Sequence, residues 1–247
     1  MKSIAKFLLK QFGYRLTKIN FYENWVNIDN ARTLDFYHFF KNIVNTEKIV
    51  CCFDIGANIG QTAKKLQGYF PNATIYCFEP VHLTYEQLKV NMEQYPNIRT
   101  YNVGLGASKG EIEIFHREDS EWNSLVDQLN KNEKISGATS EYIKVDTIDH
   151  FVKEQNIAKI AILKSDTEGF ELEVLKGARY CLENQLIDFL YLEVGFNSLD
   201  LQHAYVTTII ETLENYGYGF SGLFEMSYTE QHVILYANAL FCKRAGF

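Results

Sequence analysis

The stretch "KSDTEGFE", Lys164 to Glu171, places a lysine and three carboxylates where an apolar run ends and a helical pattern begins. A carboxylate at such a point can take a proton from a substrate, and a lysine facing the same crevice can stabilise a developing alkoxide. Asp166 is the first candidate base and Glu168 the second. Glu193, which ends a later apolar run in "YLEV", is a further carboxylate at the same predicted edge. The pattern therefore indicates a proton-transfer site.

A helix cap is the competing interpretation of the same residues. Ser165 and Glu168 have the spacing of a capping box, and acidic side chains are favoured in a first helical turn. Capping would explain Glu168 and Glu171 but not Asp166. Asp166, Glu168 and Glu193 could instead gather a divalent cation. Carboxylates cluster at strand ends without metal often enough that a metal is not favoured.

A glycine turn, "FDIGANIGQTA", follows the first apolar run and opens a helix near Gln61. Gly56 and Gly60 permit positive φ and let the backbone approach a ligand closely. The dinucleotide fingerprint GxGxxG is absent because position 58 is Asn58. Glu79 lies 23 residues after Gly56 and ends the second run in "CFEP", where nucleotide-binding folds place a ribose-binding acid. Together with Asp54, these residues predict a ribose-bearing cofactor.

The elements that must position these residues alternate along the chain. Short apolar runs rich in β-branched and aromatic residues are separated by stretches with helical periodicity; the runs are "KIVCCFDIG", "TIYCFEP", "IRTYNVGLG", "IAILKSD" and "IDFLYLEVG". Continuously apolar strands with helical crossovers predict a parallel sheet with helices on both faces. "KGEIEIFH" predicts a short added strand, and the two final runs predict an antiparallel hairpin. The polar 116–140 segment around Trp122 predicts a lid loop.

Composition excludes several classes of function. The net charge of -7 argues against a nucleic-acid partner. The five cysteines show no ligand spacing and predict buried thiols in a reducing, cytoplasmic compartment. The first twenty residues carry five basic side chains and no acidic one, and their apolar residues share one helical face. This segment predicts either a helix packed on the domain or one that touches the inner membrane face. We expect an N-terminal helical extension, 1–47, and one α/β domain, 48–247.

Seven blocks in order resemble the FkbM family of S-adenosylmethionine-dependent methyltransferases, from about Val50 to the C-terminus. They are "DIGANIG", "FEP", "NVGLGAS", "IKVDTIDHF", "LKSDTEGFELEVLKGA", "YLEV" and "ANALFCK". The resemblance implies a class I methyltransferase (Rossmann-like) α/β fold. Its sheet has seven strands in the order 3-2-1-4-5-7-6, with the seventh antiparallel.

The resemblance also implies roles for individual residues. S-adenosyl-L-methionine would lie at the carboxyl ends of strands one to four. The cofactor-binding residues would be Asp54, Gly56, Ala57, Asn58 and Gly60 on the methionine side, Glu79 with Pro80 at the ribose, Gly104 and Leu105 at the adenine, and Asp166. The catalytic candidates would be Asp166, Glu168, Lys164 and Glu193.

The expected function is therefore O-methylation of a hydroxyl on a sugar, a glycan or a secondary metabolite, which could be lipid-linked. A nitrogen or carbon acceptor stays open, as do acceptor identity and oligomeric state. Two alternatives come from other classes of function. A nicotinamide-dependent oxidoreductase would also use the glycine turn and Glu79. A non-catalytic methyltransferase-fold scaffold would not depend on Asp54 or Glu79.

Overall fold

The computed structural model describes residues 36, 37, 40, 44–116, 139–200 and 202–244, with backbone only at 115, 116 and 139. All of them belong to the compact unit Asp35–Phe247. Most of the predicted N-terminal extension, including its basic helix, lies outside the described residues, as does the segment around Trp122. The domain boundary at residue 48 therefore stays a prediction.

Ten strands and six helices alternate through the described residues. The strands are β1 (Cys51–Ile55), β2 (Thr74–Phe78), β3 (Ile98–Tyr101), β4 (Gly104–Leu105), β5 (Gly110–His116), β6 (Thr139–Asp146), β7 (Ile160–Ser165), β8 (Ile187–Gly195), β9 (Tyr218–Tyr228) and β10 (Ile234–Lys243). The helices are α1 (Gln61–Tyr69), α2 (His82–Met92), α3 (Ile148–Glu154), α4 (Glu171–Lys176), α5 (Arg179–Glu183) and α6 (Val206–Asn215).

Seven of these strands form the main sheet, in the order β3-β2-β1-β7-β8-β10-β9. Counted within this sheet, the order is 3-2-1-4-5-7-6. The contacts among β3, β2, β1, β7 and β8 are parallel, and β10 runs antiparallel to both β8 and β9. The predicted strand order, the antiparallel seventh strand and the C-terminal hairpin are therefore confirmed.

Both faces of this sheet are covered by packed apolar side chains, which explains why its central strands are continuously apolar. Every residue of β1 and β7 is buried. Cys52 and Ile162 pack in one core cluster with residues of α1 and α2. Phe53 and Leu163 pack in the opposite cluster with residues of α3 to α6. Because adjacent residues of a strand point to opposite faces, each strand contributes to both cores.

A second sheet of three strands, in the order β4-β6-β5, stands beside the main one. The added strand predicted from "KGEIEIFH" is confirmed as β5. Its partner β6 was not predicted, because the alternation in "EYIKVD" follows a long polar stretch. Ile114, Ile143 and Val145 are buried between the two strands and pack against Ile112. This small core forms one wall of the cavity described below.

The capping-box interpretation of the opening stretch is wrong. Helix α4 begins only at Glu171, and its N-cap residue, Phe170, makes no side-chain cap bond. Ser165 still belongs to β7, and Glu168 has a φ of 54°, in the left-handed region. The N–H and the hydroxyl of Thr167 both donate to Glu171 Oε1, at 2.7 Å each. Asp166 and Glu168 therefore belong to the loop after β7, whereas Glu171 lies in the first turn of α4, as the favourable position of acids there predicts.

Candidate active site

The carboxyl ends of β1, β7 and β8 bring three predicted residues onto one face of the sheet. Asp54 is the register partner of Lys164, and Lys164 is the register partner of Tyr191. Glu193 lies two residues after Tyr191 and therefore points to the same face. The chain leaves β1 towards β2 on one side and β7 towards β8 on the other, so this edge is the topological switch point where α/β sheets bind ligands.

A cavity of about 470 Å³ opens at this edge. Its volume falls in the range of small-molecule pockets, roughly 300–1,000 Å³. Eleven of the thirteen predicted site residues line it: Gly56, Ala57, Asn58, Glu79, Pro80, Gly104, Leu105, Lys164, Asp166, Glu168 and Glu193. The other two, Asp54 and Gly60, lie outside its lining.

The glycine turn after β1 is fixed by backbone hydrogen bonds on both sides. The N–H groups of Gly56 and Ala57 both donate to the Phe78 carbonyl at 3.0 Å, and the Asp166 N–H donates to the Ile55 carbonyl at 3.0 Å. Gly56 has a φ of 75°, and a Cβ added there would lie 1.9 Å from the Asp166 carbonyl oxygen. The turn and the loop after β7 therefore touch, and only glycine fits between them.

Gly60 serves the packing of helices instead of the cavity. Its φ is 97°, and it occupies the N-cap position of α1. A Cβ there would lie 2.5 Å from Met92 Cε and 3.1 Å from Leu88 Cδ1, both on α2. The absence of a side chain at Gly60 lets α2 pack closely against the start of α1. Direct contact of Gly60 with a cofactor remains a prediction.

Glu79 presents a carboxylate anchored to the wall of the cavity. Its Oε2 accepts a hydrogen bond from the Asn58 N–H at 3.0 Å, and its Oε1 accepts one from the Val81 N–H at 2.9 Å. The Asn102 side chain donates to the carbonyls of Glu79 and Pro80 at 2.9 Å and holds the chain just after β2. Burial raises the pKa of Glu79 to about 7, although the two N–H groups oppose the rise.

Lys164, Asp166 and Glu193 form a row of coupled charges at the other end of the cavity. Lys164 is buried, and its Nζ donates to Asp166 Oδ2 at 2.6 Å. Burial opposes ionisation of Asp166, but the Lys164 ammonium outweighs it and holds the pKa of Asp166 below its usual range. Burial, and next the charge of Asp166, raise the pKa of Glu193 to about 10. Glu193 thus carries a proton at neutral pH and shares it with Asp166 in a hydrogen bond.

This charge pattern does not favour the divalent cation. Asp166, Glu168 and Glu193 each bring an oxygen within 4.8 Å of the others. The Lys164 ammonium already contacts Asp166, and Glu193 is protonated, so a cation would have to displace the ammonium from Asp166 and the proton from Glu193. Burial, and next the charge of Asp166, raise the pKa of Glu168 to about 7. The cluster can therefore hold protons, and the expectation that no metal is needed stays a prediction.

Asp54 lies beneath the cavity and is completely buried. Neither carboxylate oxygen accepts a hydrogen bond of good geometry from the described residues, although the Ala63 N–H at the start of α1 favours its ionised form. Burial raises the pKa of Asp54 to about 6, against the attraction of Lys164. Asp54 therefore contributes a buried negative charge to the floor of the site rather than a contact with a ligand.

Asp54→Asn should make stability less dependent on pH. Because the pKa of Asp54 is higher in the folded state than the ordinary 3.8, its contribution is fully present below about pH 4 and is lost as pH rises through 6. A shift of about two units corresponds to about 3 kcal/mol. Urea unfolding at pH 4, 5, 6 and 7 should show this loss in the wild type and not in the variant. The matched control is Glu111→Gln, an exposed carboxyl on β5. Parallel profiles for wild type and Asp54→Asn would contradict the assignment.

Two residues of this region were not selected from the sequence. Tyr236, on β10, lines the cavity. His203 lies behind it, with ring centroids 4.7 Å apart and an angle of 11° between the planes. His203 could not be selected from the sequence, because its contacts with Glu193 and Tyr236 depend on β8 and β10 coming together. The only local signal is the i, i+3 spacing of Asp200 and His203 in "DLQHA".

Curated relatives of this chain are methyltransferases by name. The chain is 31% identical over 143 residues to the hexuronic acid methyltransferase AglP of Haloferax volcanii, covering 58% of this chain and 54% of that protein. It is 27% identical over 151 residues to methyltransferase sdnD of Sordaria araneosa, covering 50% and 58%. It is 24% identical over 174 residues to the 2-O-methyltransferase NoeI of Sinorhizobium fredii, covering 66% and 70%. The chain thus spans little more than half the length of the first two relatives.

Solved structures and the family comparison agree with the topology. The fibrillarin pre-rRNA processing protein of Methanococcus jannaschii superposes with a TM-score of 0.50 and 11% identity, covering 83% of this chain and 70% of that one. At this identity the likeness shows the fold alone. The methyltransferase FkbM domain matches residues 54–220, about two thirds of the chain, from Asp54 in the glycine turn to β9. The chain therefore belongs to the FkbM methyltransferase domain family.

Proposed function

We propose that this protein is an S-adenosylmethionine-dependent O-methyltransferase that acts on a hydroxyl of a sugar, a glycan or a secondary metabolite. Membership of the FkbM domain family supports methyl transfer, the name of AglP supports a sugar acid as acceptor, and the name of NoeI supports transfer to oxygen. The observation that carries the proposal is the cavity at the switch point, with a glycine turn and the carboxylate of Glu79 at one end and a proton-sharing cluster at the other.

The cofactor end of the cavity fits an adenosyl ligand. Glu79 would accept hydrogen bonds from both ribose hydroxyls, and the backbone of Gly56 to Asn58 would lie against the methionine part. The side of the cavity that Gly104 and Leu105 line, where Pro80 lies next to Gly104, would border the adenine. S-adenosylmethionine supplies a methyl group on a positively charged sulfur. The acidic surroundings of the site favour such a cation electrostatically.

The acceptor end holds the groups that could remove a proton. Methyl transfer from a sulfonium is an in-line displacement, so the acceptor oxygen must be aligned and must lose its proton. Asp166 is ionised through its contact with Lys164, whereas Glu193 is protonated at neutral pH. Glu168 has a pKa of about 7 and lines the same cavity. Asp166 and Glu168 are thus the candidate bases, and Glu193 is a neighbouring acid that can take a proton only as it passes its own on.

Calorimetric titration of the cofactor-free protein with S-adenosylmethionine and S-adenosylhomocysteine tests the cofactor. Binding is expected for both, and Glu79→Ala should weaken it about 100-fold or more, since two hydrogen bonds to a charged group contribute about 1.5–3 kcal/mol each. Affinity should also rise between pH 6 and pH 8 as Glu79 loses its proton, and Glu79→Gln should lack this rise.

The controls separate the rival functions. Glu86→Ala, an exposed carboxylate on α2, makes the same change in charge and should leave binding unaltered. Titration with NAD tests the oxidoreductase alternative: binding of NAD but neither adenosyl ligand would overturn the proposal. If no ligand binds, or if function survives Asp54→Asn and Glu79→Ala, the scaffold alternative gains instead.

The acceptor is proposed by class. Release of S-adenosylhomocysteine with a panel of p-nitrophenyl glycosides of hexuronic acids and hexoses would identify a sugar acceptor. No described helix has both the length and the apolar composition needed to cross a bilayer. A cytoplasmic site of action, with contact of the N-terminal segment to the inner membrane face and a lipid-linked acceptor, belongs to the proposal. Co-sedimentation of the protein with vesicles of anionic phospholipid would test the membrane contact.

A further inference from the structure

The loop after β8 carries an Asp–His pair next to the acidic cluster. His203 Nδ1 lies 2.7 Å from Asp200 Oδ2, and Asp200 Oδ1 accepts the Gln202 N–H at 2.8 Å. An ionised aspartate can only accept, so Nδ1 must carry a hydrogen. An imidazole that carries its hydrogen on Nδ1 can accept a proton at Nε2. That atom faces Glu193 Oε2 at 3.7 Å.

The position of the imidazole is fixed from several directions. One ring face stacks on Tyr236, and the side chain of His203 is only 10% exposed. Gly195 leaves room for it, because a Cβ there would lie 2.8 Å from His203 Cβ. The Gly195 N–H donates to the Ala204 carbonyl at 2.9 Å and ties the loop back to β8. His203 does not line the cavity itself, so any effect on a substrate must pass through Glu193 or Tyr236.

Glu193 connects this pair to the ionised part of the site. It shares a proton with Asp166 on one side and approaches His203 on the other. Asp166 in turn contacts the Lys164 ammonium. The four side chains therefore form a row from the cavity wall to the loop, in which the protonated carboxyl group of Glu193 faces the Nε2 atom of His203 at 3.7 Å.

We propose that His203, held by Asp200, is a positioning residue for Glu193 and receives the proton that methyl transfer releases. This inference rests on the proposed function. In the reaction the bond between the methyl carbon and sulfur breaks, and a bond from the acceptor oxygen to that carbon forms. The hydroxyl proton goes to the Asp166–Glu193 pair. The pair passes one proton to His203 Nε2, and Asp200 stabilises the imidazolium until solvent takes the proton.

The first test compares His203→Gln and Asp200→Asn with a matched pair elsewhere. His150 contacts Asp146 at 2.8 Å with the same Nδ1 geometry, so His150→Gln is the control. Using the best glycoside of the panel, kcat should fall roughly 10- to 100-fold in His203→Gln, a smaller loss than removal of the base itself. The dissociation constant and KM for S-adenosylmethionine should stay within about twofold. Free imidazole should partly restore kcat to a His203→Ala protein.

The pH profile of kcat supplies a readout that a structural role would not move. Several charged or titratable side chains face His203 or its partners: Asp200 on its own loop, Glu193 on β8, Lys164 on β7, Asp166 and Glu168 after β7, Glu171 on α4 and Tyr236 on β10. His203→Gln keeps all of these side chains and removes only the proposed proton acceptor. The shape of the profile should therefore change in His203→Gln and match the wild type in His150→Gln.

The second test needs no acceptor. Nitrogen NMR of the imidazoles should show His203 as the Nδ1–H tautomer, and Glu193→Gln should shift its Nε2 resonance while His150 is unchanged. An Nε2–H tautomer, or an Nε2 resonance indifferent to Glu193→Gln, overturns the inference. Equal kcat for wild type and His203→Gln also overturns it and leaves the proposed function standing. A wild type that fails to bind S-adenosylmethionine overturns both.

Discussion

Gly56→Ala should lower the free energy of unfolding by about 2–5 kcal/mol and abolish binding of S-adenosylmethionine. A side chain at a φ of 75° costs about 1–2 kcal/mol, and forcing extra volume into a packed site adds about 1–3 kcal/mol. The atoms that a Cβ would meet are the Asp166 carbonyl oxygen at 1.9 Å and its carbon at 2.9 Å. Both belong to the backbone, so no rotamer change can relieve the clash.

The loss of binding has the same origin. To make room, the turn must move away from the loop after β7, and its N–H bonds to the Phe78 carbonyl must lengthen. The Asn58 N–H, which holds Glu79, moves with the turn. The cofactor wall and the acceptor wall are thus displaced together. Urea unfolding and calorimetric titration measure the two effects on one preparation.

Gly68→Ala is the matched control on the same stretch of chain. Gly68 lies inside α1, and an added Cβ there meets nothing within 4 Å. Alanine is the better helix former, so this variant should be more stable by about 0.5–1 kcal/mol and should bind normally. A Gly56→Ala protein that also matches the wild type in stability and in affinity would mean that the turn and the β7 loop are not in contact.

The strands of the main sheet could be predicted because each is a short apolar run between turn residues. The register that places Asp54 beside Lys164 follows from two such runs pairing in parallel. Glu79 and Glu193 could be placed at the edge of the sheet for the same reason, since each ends its run. The positions at which the apolar runs end thus predict both the strands of the sheet and the residues that line the cavity.

The parts that could not be predicted depend on contacts between distant segments. Ser165 and Glu168 have capping-box spacing, but the contact of Gly56 with the loop after β7 draws that loop out and delays α4 to Glu171. The capping box that the local sequence predicts therefore does not form, because a tertiary contact determines the conformation of this loop. The pairing of His203 with Glu193 likewise needs β8, its following loop and β10 in place, and no spacing along the chain encodes it.

Lys164→Met should lower the free energy of unfolding by about 3–5 kcal/mol at pH 8, the range for removing one partner of a buried ion pair. Lys164 is the cation that Asp166 contacts at 2.6 Å, and it also attracts Asp54. Burial alone would lower the pKa of Lys164, but Asp166 and next Asp54 raise it above its usual value. Methionine fills a similar volume, so the loss is electrostatic rather than a cavity.

The penalty should shrink as the pH falls. In the wild type, the pKa of Asp166 is depressed, so its stabilisation is present above about pH 4 and lost as pH falls further. Without Lys164, burial raises the pKa of Asp166, and the carboxyl then destabilises the fold as pH rises above 4. Near pH 4 Asp54 is protonated in the wild type, whereas Asp166, with its depressed pKa, keeps its charge and its contact with Lys164. The two unfolding curves should therefore approach each other towards pH 4 and converge only below it.

Lys159→Met is the control that distinguishes loss of the buried ion pair from loss of a lysine at a half-exposed position. Lys159 is half exposed and lies 2.6 Å from Asp188, so its removal should cost less than about 1 kcal/mol. The double variant Lys164→Met with Asp166→Asn should recover part of the loss, because it removes a charge that has no counter-ion. Urea unfolding of all four proteins at pH 4, 6 and 8 gives the comparison. Equal losses for both lysine variants at pH 8 would contradict the buried pair.

Lys164→Met should lower the rate of methyl transfer more than it weakens the binding of S-adenosylmethionine. Lys164 keeps Asp166 ionised in a buried cluster, and an ionised carboxylate is what a general base requires. Without the ammonium, Asp166 and Glu193 would both hold protons at neutral pH, and the pair could no longer accept one from a hydroxyl. Glu79, at the far end of the cavity, would keep its two backbone donors. Because Glu79 and the base cluster lie at opposite ends, Lys164→Met should abolish turnover while S-adenosylmethionine binding persists.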